Sequence, residues 1–264
     1  MDGALGGLTG GGPSPPGQWS MQVVITADCD HVPVMVRLGQ YGGMTQTHPG
    51  RAGYHHGDLR SALADAATEL ARAGGPEAVV LREAARRVGV SAAAAYRHYM
   101  GHGELLQAVK QRAVEALADA LSAGLASGQP LASPEAEALR RFRNLGLAYV
   151  GFARSNPGLF HTAFCRPDAG TGPAAASSAA EVTARIAETR PYQILTQSLD
   201  DLVAAGMLEE SRRAAAPIAF WSAVHGLATL LVDGPLADLT EAEQDWAADR
   251  TLDILIGGIE RHSA

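Results

Sequence analysis

The chain has 264 residues, of which 47% are hydrophobic and 19% charged, and its formal net charge is −7. That supply of apolar residues suits one large or two small packed domains and excludes disorder over most of the length. Two cysteines exclude a disulfide framework and a cysteine-rich zinc site, and no run approaches the roughly 18 apolar residues of a membrane span, so a reduced, cytoplasmic setting with no membrane contact is expected.

The charge is unevenly placed. Residues 51–113 carry a net +3, while 114–264 carry −8 and 1–50 carry −2. A basic segment ahead of an acidic body points to an anionic partner for that segment.

Residues 1–50 are rich in glycine and proline as far as Gly17 and β-like between Met21 and Leu38, with no partner strand elsewhere. A lone hairpin is marginal in water. The segment therefore reads as a disordered or mis-assigned upstream extension, with Met35 and Met44 as alternative starts, or else as a small extra arm. From Gly57 the period becomes helical, with Leu59, Leu63, Ala66, Ala67, Leu70 and Ala71 recurring at three and four. Gly74-Gly75-Pro76 stops this helix. A short helix is predicted over Leu81–Val88, a turn at Gly89, inward packing of Val90, and a helix from Ala92 to about Tyr99 with Ser91 as its N-cap. A longer helix follows from about Gly103 to Ala126.

Further helices are predicted over Pro134–Arg154, Gly158–Phe164 and about 179–189, 192–206, 212–232 and 241–261, with a flexible linker at 167–178. Nothing after residue 50 reads as a strand. The expected fold is all-α: an N-terminal three-helix unit over 51–101 and a larger C-terminal helical bundle over 102–264.

The informative stretch is LREAARRVGVSAAAAYRHY, residues 81–99. Helix, glycine turn and helix in about twenty residues is the spacing of a helix-turn-helix, whose second helix lies in the DNA major groove. Ala84, Ala85 and Val88 can face inward, and small side chains let the helices cross closely. Ala92, Ala93 and Tyr96 share the other face. Arg82, Arg86, Arg87, Arg97, His98 and His102 surround the pair, although a short helical pair with arginines can also be a solvated face.

Residues 54–109, from YHHGDLR to GHGELLQAV, resemble the N-terminal domain of TetR-family transcriptional regulators. AYVGFARSNPGLFHTAF and FWSAVHGLATLLVDGPL are similar to the branch whose effector domain carries a Trp-His-Gly signature, here Trp221 followed by His225-Gly226. The resemblance implies a dimeric, ligand-responsive regulator, most often a repressor released from a palindromic operator by a small-molecule inducer. The alternative is a DNA-binding module without a ligand, controlled by a protein partner or by abundance.

By position, Tyr96 and His98 would contact phosphates, fixing register without reading sequence. Arg82 would reach phosphate or a base edge. Ala92 and Ala93 sit where family members read bases, and Ser91, the cap before them, is counted with the DNA-binding residues; alanine can touch a thymine methyl but offers no hydrogen bond. Specificity would then lean on Arg82, Arg97, DNA shape and an N-terminal arm with Arg51. Two departures matter. His102 stands where the family usually has lysine, which predicts a weaker, pH-sensitive phosphate contact. Val80 stands where Ser or Thr usually caps the second helix, at a cost of about 1 kcal/mol.

Tyr149, Phe152, Phe160, Phe164, Trp221 and His225 could line a largely apolar inducer cavity or simply form core. Leu227, Leu230, Leu231, Leu252, Leu255, Ile256 and Ile259 on the last two helices could form the homodimer interface or merely close the domain. No Gly-rich phosphate loop, HExxH or nucleophile elbow is present, so no enzyme activity and no cofactor are expected. His98 and His102 have the spacing of metal ligands, but nothing completes a site and Met100-Gly101 should break the helix between them. His55-His56 belongs to the arm lead-in. Cys165 reads as a small buried hydrophobe, with redox sensing the minor alternative.

Overall fold

The computed structural model describes residues 56–165 and 179–260, and among them every regular element is a helix. The expectations for residues 1–50, for Arg51, for His55 and for the 167–178 linker fall outside the described residues.

Helix α1 (His56–Gly74) turns Leu63, Ala64, Ala67, Leu70 and Ala71 inward. It closes at Gly75, whose φ of 72° only glycine adopts easily and whose N–H donates to the Ala71 carbonyl at 2.8 Å. A 3-10 turn at Pro76–Ala78, not foreseen from the sequence, leads to α2 (Leu81–Val88), which has the expected bounds. Gly89 ends α2 at φ 79°, and the Val90 N–H reaches back to Ala85 at 3.0 Å. Ser91 caps α3 by accepting from the Ala94 N–H at 3.2 Å.

Helix α3 (Ala92–Ala95) is shorter than the predicted run to Tyr99. The N–H groups of Arg97 and His98 bond to the carbonyls three residues back, so the last turn tightens before the chain leaves at Gly101. His98 and His102 consequently sit on different elements.

Helix α4 (His102–Ala126) is the long strut of the molecule. It packs on α1, on α5 (Pro134–Ser155), on α6 (Pro157–Phe164) and on α8 (Arg190–Ala204). Ser133 caps α5, and Pro157 forces the break into α6. Helix α7 (Ala179–Ala187) precedes α8. The predicted helix 212–232 is instead two pieces, α9 (Glu210–Arg213) and α10 (Ala216–Val232). Pro217 is the reason: it lacks an N–H and its ring crowds the preceding turn, so it opens a helix rather than continuing one. The last described helix is α11 (Glu241–Glu260).

One core runs through both halves. Leu63, Val79, Tyr99, Leu105 and Val109 fill it near α1–α3, and Leu117, Phe142, Leu159, Leu199, Leu202 and Leu252 fill it between α4, α5, α6, α8 and α11. Each such side chain contributes about 1.5–3 kcal/mol of burial. Gly146 of α5 is the site of closest approach to α11: a Cβ there would meet Leu252 at 2.4 Å. Arg143 joins the same two helices through Asp249 at 2.7 Å and through Asp253.

Candidate nucleic-acid interface and effector cavity

The α2–α3 pair is held on α1 by small contacts. Ala84, Ala85 and Ala95 are fully buried there, small side chains that let the helices approach closely. The Tyr99 ring is buried behind them and its hydroxyl donates to the Arg60 carbonyl at 3.0 Å. The Arg60 guanidinium lies 4.3 Å from the centre of that ring, pairs with Glu104 at 2.7 Å and donates to the His98 carbonyl. Glu104 also accepts from the Met100 N–H at 2.8 Å. This cluster pins the end of the α3 turn to the start of α4. The Met100 backbone and Arg60 hold the Glu104 carboxyl below its usual range.

Opposite this buried side, Arg82, Ser91, Ala93, Tyr96, Arg97 and His102 are exposed, and Ala92 and His98 are half-exposed. Tyr96 shows 46% of its surface. The four arginines of the pair are not equivalent. Arg86 grips Glu83 through two nitrogens at 2.7 and 2.8 Å, and Arg87 reaches it at 3.4 Å. Arg86, with help from Arg87, holds the Glu83 carboxyl at about 2, so it stays ionised and offsets part of their charge. Among the described residues Arg82 and Arg97 have no acidic partner. Val80 precedes α2 without any side-chain cap, as the sequence implied.

A second feature lies between α4, α5, α6, α7, α8 and α10: an open cavity of about 790 Å³. Of the six residues predicted to line it, Tyr149, Phe164 and Trp221 do so. Phe152 and Phe160 are buried in the core instead, because their turns of α5 and α6 face neighbouring helices. His225 stands behind the wall, its ring 4.7 Å from that of Phe164 and its Nδ1 2.8 Å from the Tyr149 hydroxyl oxygen.

An indole N–H only donates, so Trp221 gives its proton to the Tyr149 oxygen at 3.2 Å. Donation of the Tyr149 proton to His225 Nδ1 satisfies both groups and corresponds to the tautomer with the imidazole proton on Nε2. Burial pushes the Tyr149 hydroxyl well above its usual range and the His225 imidazole below its own, so both are neutral at pH 7.

Most of the cavity's long wall was not anticipated. Gln107, Lys110, Gln111, Val114, Leu117 and Leu121 of α4 recur at three and four and face the opening. The spacing was visible in the sequence, but its partners across the cavity lie on α5, α8 and α10, far away in the chain. Arg190, at the start of α8, bonds Glu115 at 2.8 Å and Asp119 at 2.9 Å and so ties the rim of the cavity to α4.

Helix α6 spans the distance between the two features. At one end, Ala163 and Phe164 form cavity wall, and the carbonyl of Cys165 just beyond accepts from Lys110 Nζ at 2.7 Å. At the other, a Cβ on Gly158 would lie 2.2 Å from the Ala71 carbonyl and 2.7 Å from that of Arg72. Arg72 in turn donates to Asn156.

The residues considered for a dimer interface divide in two. Leu227, Leu231 and Leu252 are buried within the protomer, and Leu252, at 1% exposure, has no surface to offer a second copy. Leu255, Ile256 and Ile259 are partly buried against the same core, and Leu230 is exposed. The apolar side chains left outward on α10 and α11 are Ile218, Leu230, Trp246 and Ile254, of which Trp246 and Ile254 were not singled out from the sequence. Among the described residues no helix is long and apolar enough to cross a membrane.

Comparison with known proteins is consistent with this architecture. Residues 63–109 match the family model "Bacterial regulatory proteins, tetR family", and residues 142–255 match "Tetracyclin repressor-like, C-terminal domain". The fold is similar to that of a Rhodococcus sp. RHA1 protein of unknown function, at 25% identity and a TM-score of 0.61, over 80% of this chain and all of that one. A bacterial regulatory protein in the tetR family from Rhodococcus RHA1 aligns at 20% identity and a TM-score of 0.49, over 76% of this chain and 96% of its own. PfmR, a TetR-family transcriptional regulator from Thermus thermophilus, aligns at 22% identity and a TM-score of 0.48, over 75% and 99%. No match is found among curated proteins. The two family models together account for more than half of the chain, one on the helix-turn-helix and one on the helices around the cavity. The chain belongs to the TetR family of bacterial regulatory proteins: it is a DNA-binding transcriptional regulator, not an enzyme.

Proposed function

We propose that the protein is a cytoplasmic, homodimeric repressor of the Trp-His-Gly branch, released from a palindromic operator by a small, largely apolar inducer. Residues 51–101 would serve as the DNA-binding domain and 102–264 as the ligand-binding and dimerisation domain. Arg82, Tyr96, Arg97, His98 and His102 would hold the phosphate backbone, with Arg51 reaching from the N-terminal arm. Ser91, Ala92 and Ala93 would lie against the bases. A dimer is favoured because a two-fold pair of reading heads matches two half-sites, and because Ile218, Leu230, Trp246 and Ile254 are large apolar side chains left exposed on α10 and α11.

The observation that carries ligand control is the double attachment of α6, with Phe164 at the cavity and Gly158 against the carbonyls that end α1. A ligand that favours one position of α6 would also favour one position of α1, and so one spacing of the reading heads. Such control requires different affinities for the two conformers. A ligand in contact with Tyr149, Phe164 and Trp221 fits this arrangement, with Phe160 and His225 packed against those rings and Phe152 buried in the core.

The test is binding to the chain's own upstream DNA against a scrambled duplex across a salt series. Tight, sequence-dependent binding with a steep salt slope is expected. Arg82→Ala should weaken binding about tenfold and lower that slope by about one, and Tyr96→Phe should weaken it severalfold with the fold intact. Equal, weak binding to both duplexes, or a Tyr96→Phe protein indistinguishable from the parent at every salt concentration, would overturn the assignment of these residues.

A further inference from the structure

We infer that the cavity selects an amphipathic anion: an aliphatic or flat apolar body with one negatively charged head, of which a carboxylate is the simplest, seated on Lys110. This rests on the reading of the cavity as the effector site and adds the chemistry of the effector.

Lys110 is the single lysine of the chain. It lines the cavity, is half-buried, and its Nζ lies 2.7 Å from the Cys165 carbonyl. That bond uses one of three N–H donors and leaves the charge uncompensated. No acidic side chain among the described residues forms an ion pair with it. The other charges nearby are differently placed. Glu115 is bound by Arg190, which also holds Asp119, so those three form a closed group on the rim. Arg185 and Glu188 belong to the stretch of wall leading into α8, with one charge of each sign. A half-buried ammonium that faces a ligand space with no ion-paired carboxylate among the described residues is an unfavourable arrangement that an anion relieves.

The cavity is also polarised along α4. Gln107, Lys110 and Gln111 form one end of its wall, and Val114, Leu117 and Leu121 continue it, opposite Leu145, Leu195, Phe220 and Val224. From Lys110 to Leu121 the helix rises about 16 Å. An extended chain of about ten carbons anchored at Lys110 would lie along this apolar stretch. A cation would meet the ammonium at the polar end, and a neutral chain would leave it unpaired.

The experiment uses the full chain with three ten-carbon probes, decanoate, decan-1-ol and decylamine, titrated calorimetrically. Decanoate should bind about tenfold or more tightly than decanol, and decylamine most weakly. Lys110→Met should bring decanoate down to the decanol value, while Lys110→Arg keeps the preference, which separates lost charge from a disturbed α6. Because no other side-chain amine exists, decanoate should also protect Lys110 from acetylation as read by mass spectrometry. Decanol binding as well as decanoate, a preference that survives Lys110→Met, or a preference for decylamine would overturn the anionic head and leave the cavity reading intact. Binding of none of the three would overturn both.

Discussion

His225 can accept a proton from Tyr149 only while its Nδ1 is bare, so the hydrogen-bond chain from Trp221 is conditional on pH. Burial lowers the imidazole from its ordinary 6.5. Between the folded and unfolded values the unfolded chain binds more protons, so stability rises with pH there. The contribution is fully present above about 6.5 and is lost as the solution is acidified through and below that value. The melting temperature of the parent protein should therefore fall more between about pH 7 and 5 than that of His225→Gln, whose amide keeps an acceptor and does not titrate. Parallel curves for the two proteins would remove His225 from this role. Trp221 and His225 stood out in the sequence through the resemblance of their helix to the Trp-His-Gly branch. Their link to Tyr149 did not, since 76 residues separate Tyr149 from His225 and only the packing of α5 on α10 brings them together.

Helix α6 has eight residues, too few to be stable alone, so its position is set by what it touches. Gly158 is the tightest of these contacts. The atoms that a methyl group would meet are backbone carbonyls, which cannot rotate away as a side chain could. Gly158→Ala should cost about 1–3 kcal/mol, measured by denaturant unfolding. It should also shift the operator affinity of the unliganded protein, because α6 and α1 can no longer approach to the same distance. Unchanged stability and operator binding would mean that the contact is loose. Helix limits were readable wherever punctuation was strong: Gly75-Pro76, Gly89, Ser91, Ser133-Pro134 and Pro157 all act at the expected places. The α9–α10 break is hard to read in the sequence because the alanines around Pro217 favour helix and the apolar run continues past it. The early end of α3 was missed because YRHY keeps a helical period while the backbone has already tightened.

At the scale of the molecule, the outward face of α10 and α11 should behave differently from the inward one. Trp246→Glu places a charge at a residue that is 63% exposed, and Ile254→Asp at one that is 76% exposed. Both should give folded monomers by light scattering, with operator binding lost because one reading head alone cannot span two half-sites. Leu252→Asp, at the buried position, should instead lose several kcal/mol of stability and fail to fold well. A dimeric Trp246→Glu, Ile254→Asp double variant would put the interface elsewhere. The sequence showed the apolar stripes of these helices but not their inner and outer halves, since both halves are leucine- and isoleucine-rich and only the packing against Gly146 and Phe142 separates them. Of the three tryptophans in the chain, Trp221 stands in the cavity wall and Trp246 on the outward face. The protein thus carries two optical reporters at two different events. Quenching of Trp221 emission should follow occupancy of the cavity, a blue shift of Trp246 emission should follow removal of that indole from water, and Trp→Phe replacement of the other two tryptophans, Trp19 among them, should let the proposed ligand binding and subunit association be followed separately without a label.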